Sequence, residues 1–106
     1  MKPLLLLALA CFSVQAVAAG DAASGKQKSQ VCAACHGPEG NKPTGPDFPR
    51  LAGQYPDYLY RALRDYKSGA RKNPIMSGQV ANLSPQDMQD LAAYFSEQNG
   101  PLHTKR

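Results

Sequence analysis

The chain of 106 residues carries twelve basic and eight acidic side chains, a formal charge of +4, with 42% hydrophobic residues and no tryptophan. That is the size of one small domain. Charged residues make up 19% of it, too mild and too balanced a share for a nucleic-acid-binding arm or a disordered polyelectrolyte, so both classes are excluded.

Residues 1–19 read as a secretory signal: Met1-Lys2 is a positive start, Leu4 to Phe12 is apolar, and Ala16-Val17-Ala18-Ala19 offers a small-residue cleavage site. The apolar run is far shorter than the ~20 residues of a membrane helix, so no stable membrane insertion is expected after cleavage. Cys11 lies inside that run and is expected to leave with it, because Ala8-Leu9-Ala10 fits lipoprotein processing poorly. The expected mature domain is 20–106, a periplasmic chain with two cysteines and eleven basic against eight acidic residues. So short a chain builds only a marginal core, and a staple or cofactor is expected to supplement it.

Three helices are predicted. The first covers about Ala22 to Ala34 behind the candidate N-cap Asp21, with the cysteines Cys32 and Cys35 at its last turn. A second follows Tyr55-Pro56-Asp57, where Asp57 can cap; Leu59, Ala62, Leu63 and Tyr66 recur at helical spacing before Gly69 stops it. The third has the clearest start, Ser84-Pro85 with Asp87 completing an approximate capping box. It carries the stripe Met88, Leu91, Ala92 and Phe95 before Asn99-Gly100-Pro101. The segments 36–54 and 70–83 are rich in proline and glycine and read as loops. A loop as long as the first, in so small a domain, needs something to order it. With no strand alternation or repeat, the fold class is all-α.

Chemistry concentrates in Cys32-Ala33-Ala34-Cys35-His36, the C-x-x-C-H pattern of covalent haem c attachment. Thiols at i and i+3 on a helix stand about 5–6 Å apart on one face, so both can bond one edge of a porphyrin while the adjacent His36 reaches the iron. Rival readings are weaker. A disulfide oxidoreductase needs a thioredoxin-like strand context and a low-pKa thiol at a helix start; zinc needs a fourth ligand, for which only the distant His103 remains; a structural disulfide leaves His36 unexplained.

For the iron's other face the candidates are Met76, Met88 and His103. Met76 lies forty residues after His36 in a segment free to wrap over a ring, and its thioether suits iron. Met88 falls on an apolar stripe and reads as core, and His103 as a solvated tail residue. His36 and Met76 are therefore the expected metal ligands and Cys32 and Cys35 the attachment points. A backbone carbonyl, from Pro49 or a neighbour in 48–51, is expected to take the other imidazole N–H. Methionine ligation raises the reduction potential and closes the iron to oxygen, which favours electron transfer over catalysis, so no enzyme is expected.

With C-A-A-C-H, Phe48-Pro49-Arg50-Leu51-Ala52-Gly53-Gln54, the stretch Ser68 to Met76 and the stretch Leu83 to Phe95 in this order, the chain resembles the small bacterial class I cytochromes c. It looks especially like one half of the tandem two-haem periplasmic cytochromes. The resemblance implies three main helices and ordered loops around one haem, the first and last helices crossing, His36 proximal, Met76 distal and the Pro49 carbonyl on the proximal imidazole. A single C-x-x-C-H means one haem per chain.

Arg61, Arg64, Lys67, Arg71 and Lys72 form a basic stretch that reads as a solvated face or as a rim steering acidic redox partners. The five tyrosines read as packing residues. The resemblance implies partners such as a quinol-oxidising complex and a terminal oxidase or reductase. The alternatives are an electron-transfer subunit of a larger periplasmic redox enzyme and a haem-based sensor with a labile Met76.

Overall fold

The computed structural model describes residues 3 and 19–102. Residues 4–18, with Cys11, and His103 lie outside the described residues. The described chain is helical, with no strand: α1 Ala22–Lys28, α2 Gln30–His36, a short 3₁₀ turn Pro38–Gly40, α3 Pro56–Ser68, α4 Pro74–Val80 and α5 Pro85–Glu97. None of these helices is long and apolar enough to cross a membrane.

Asp21 caps α1 as expected, accepting the Ala23 N–H at 3.0 Å. The single first helix is instead two, and the second runs two residues further than expected. At Ser29 the side-chain Oγ donates to the Lys26 carbonyl at 2.7 Å, competing with the regular ladder and tightening that turn. Gly37 then ends α2 with φ of 82°. A β-carbon there would also collide with the Lys42 carbonyl, so both conformation and space call for glycine.

Pro56 opens α3 behind Tyr55, two residues earlier than expected, and Asp57 sits in the first turn without capping. Proline's fixed φ suits the first helical position and draws the start forward. Gly69 closes the helix in the left-handed region, where glycine avoids the steric penalty of a side chain. In α5 the capping box is complete, with the Asp87 N–H on Ser84 Oγ at 3.0 Å and the Ser84 N–H on Asp87 Oδ2 at 2.9 Å.

The core sits where α1 and α3 pack on α5. Leu59, Leu91, Ala92, Tyr94 and Phe95 form it, with Leu51, Leu63 and Leu83 partly buried against it. Met88 is buried on the α5 stripe and takes no part in the site described below. Helices α1 and α5 approach so closely that a β-carbon on Gly25 would overlap the Asp90 carbonyl. The buried Asp90 carboxylate fastens the crossing, accepting from the Asp21 N–H at 2.9 Å, Gln86 Nε2 at 2.9 Å and Lys28 Nζ at 2.7 Å. Burial works to raise its pKa, but those three donors overcome it and hold the carboxyl at about 2.

Candidate haem-binding site

Helix α2 and the loop after it shape one side of the site. Helix α2 places Cys32 and Cys35 one turn apart, both free and partly buried, with His36 buried at its last residue. Burial pushes the Cys32 thiol up, the opposite of the activated thiol that a disulfide oxidoreductase uses. The His36 Nδ1 lies 2.7 Å from the Pro49 carbonyl. A carbonyl only accepts, so Nδ1 carries the proton and Nε2 keeps its lone pair for a metal. Phe48 stands edge-on to the imidazole at 6.3 Å.

The long loop after α2 is ordered by backbone bonds. The Thr44 N–H donates to the Cys35 carbonyl at 2.9 Å, Leu51 to Gly40 at 2.8 Å, and Gly53 to Phe95 at 3.0 Å. These contacts bring Pro49 back over His36, thirteen residues along the chain.

Met76 reaches the site from α4, where a loop was expected. Asn73 starts this helix, its Oδ1 accepting the N–H groups of Ile75 at 3.0 Å and Met76 at 3.2 Å, and Pro74 occupies the first position. Ser77 Oγ donates to the Tyr66 carbonyl at 3.2 Å, and the Arg71 guanidinium lies 4.9 Å from the centre of the Tyr66 ring. Lys67 Nζ donates to the Leu83 carbonyl. Helix α4 therefore hangs from the end of α3.

Between these parts lies a largely apolar cavity of about 710 Å³, lined by Cys32, Cys35, His36, Pro49 and Met76 and walled by core residues such as Leu63 and Phe95. That volume falls within the ~300–1,000 Å³ of cofactor and small-molecule sites. The donor set also suits a haem: paired thiols on one helical face, one imidazole with Nε2 free, and a soft thioether. Zinc is not served, because among the described residues no three His, Cys, Asp or Glu side chains come close enough together to share one metal ion. A second depression of about 660 Å³, beside Tyr55 and Gln89, contains none of these donors.

The cytochrome c family model matches residues 22–98. The chain belongs to the cytochrome c family. Its cofactor is haem c, attached covalently, and its fold is that of the class I cytochromes. It is 53% identical over 81 residues to cytochrome c4 of Pseudomonas aeruginosa, covering 76% of this chain and 40% of that protein. The crystal structure of reduced recombinant cytochrome c4 from Pseudomonas stutzeri superposes with a TM-score of 0.73 and 47% identity, over 77% of this chain and 47% of that one. The chain thus spans less than half the length of these cytochromes c4 and corresponds to one half of a tandem. Cytochrome c-554(548) of Halomonas halodenitrificans is 41% identical over 83 residues, 76% of this chain and 99% of that protein.

Sequence reasoning missed two features of the site: the helix under Met76 and its cap. The signal for both was Asn73-Pro74, an N-cap residue followed by a first-position proline.

Proposed function

We propose that this chain is a one-electron carrier of the periplasm, with residues 1–19 a leader removed on export and 20–106 the working domain. Cys32 and Cys35 would form the two thioethers, and His36 and Met76 would hold the iron. The haem, when bound, supplies an iron that cycles between ferric and ferrous states. The Pro49 carbonyl keeps His36 Nδ1 protonated and its ring oriented. The Met76 sulfur favours the reduced state and thereby raises the potential. Apolar walls exclude water from the site, and two protein donors leave no position for a substrate, so electrons pass without bond-making.

Partners are redox proteins. A quinol-oxidising complex as donor and a terminal oxidase or reductase as acceptor fit an exported carrier. The exposed Arg61, Lys67, Arg71 and Lys72 steer acidic partners, an effect on association rate that added salt weakens.

The observation that supports this reading most is the convergence of both cysteines, an imidazole with Nε2 free and one thioether sulfur on a single apolar cavity. Spectroelectrochemical titration of the purified protein tests it. One reversible one-electron transition, with the reduced form unreactive to carbon monoxide at neutral pH, is expected; ready carbon monoxide binding would make the protein a ligand sensor instead. Gel filtration of the native protein separates the remaining alternative, since stable co-migration with a larger catalytic polypeptide would make it an enzyme subunit.

A further inference from the structure

Helix α4 is seven residues long, too short for its own ladder to keep it formed, because the first four N–H groups of any helix lack partners within it. Two of those groups, on Ile75 and on Met76 itself, are taken by the exposed side chain of Asn73. The Asn73 carbonyl accepts the Ser77 N–H at 2.8 Å, while Ser77 Oγ ties the same turn to Tyr66. Asn73 therefore grips the turn that carries Met76 through the backbone on both sides of it. Ile75, next to Met76, is 56% exposed and Pro74 is exposed too, so packing contributes little to holding this turn; Val80 anchors only the far end.

We propose that Asn73 is a positioning residue for Met76, setting how often the thioether leaves the iron. The inference rests on the iron-binding role proposed for Met76 above. Losing the cap frees two N–H groups and frays the first turn, and each opening of that turn carries the sulfur away. The exposure of Asn73 means that its replacement leaves the core intact.

The test is imidazole binding to the ferric holoprotein, since imidazole reaches the iron only while the sulfur is away. Asn73→Ala is expected to bind imidazole about fivefold more tightly than the wild type, the ratio that corresponds to loss of one helix cap. Asn73→Ser, which restores a neutral acceptor, is expected to return to within about twofold of the wild type. Ser84→Ala removes a comparable cap from α5; it is expected to lower the melting temperature and leave imidazole affinity within about twofold. Equal affinities for Asn73→Ala and the wild type, or an equal rise in Asn73→Ala and Ser84→Ala, would overturn the proposal. Met76→Ala keeps the two levels apart: it should bind imidazole freely, and wild-type affinity in that variant would remove the axial assignment itself.

Discussion

The His36 side and the Met76 side of the cavity are built in different ways. His36 is buried at the end of α2, fixed by the Pro49 carbonyl and by a loop bonded back to Cys35, Gly40 and Phe95. Met76 is only partly buried, on a two-turn helix hung from α3. His36 is thus held by buried structure and Met76 by a bracket beside it. On the proposed ligation, rigidity is concentrated on the side where the haem would be attached, and the freedom to lose a ligand lies on the Met76 side.

The largest contrast should come from removing each donor. Met76→Ala is expected to keep its haem covalently attached, with a lower reduction potential and an iron open to added ligands. His36→Ala loses a buried side chain and the Pro49 bond, and little holoprotein is expected to accumulate; haem staining and optical spectra compare the two. Equal yields from both variants would break the contrast.

Two glycines sharpen it. Gly37→Ala meets the Lys42 carbonyl at a backbone angle that only glycine adopts easily and should cost about 3 kcal/mol or more. Gly69→Ala has open space around it and should cost only about 1–2 kcal/mol from its left-handed backbone. Denaturant melts of the two holoproteins measure the difference.

Acid should act on the α1–α5 crossing. The Asp90 carboxyl titrates at about 2 in the fold against about 3.9 in an unfolded chain. Its stabilising contribution is therefore complete above pH ~4 and lost as pH falls towards ~2. Melting temperatures across that window should fall less steeply in Asp90→Asn, though from a lower starting value. The smallest effect is expected from Asp57→Ala, since Asp57 makes no cap and only faces the α3 dipole; a loss of at most about 1 kcal/mol should appear in thermal melts.

How much of this was legible follows from how local each feature is. Helix α5 announces itself because Ser84, Pro85 and Asp87 are a complete start signal within four residues, and its stripe is long enough to show a period. The attachment motif is equally local. Helix α4 is too short to display a period, so only Asn73-Pro74 marked it, and Ser29 divides the first helix through a single side-chain bond that no periodicity reveals. The Lys28–Asp90 contact joins residues 62 apart and depends on how α1 crosses α5. One trace of it existed beforehand: a carboxylate directly beside Leu91 at the edge of an apolar stripe, which needs donors when buried.

The most direct test of the central claim is the intact mass of the exported, purified protein under denaturing conditions. The expected mass is that of the processed polypeptide plus one haem, retained after denaturation because Cys32 and Cys35 are both bonded to it. The bare polypeptide mass, from a host able to mature such proteins, would contradict the account.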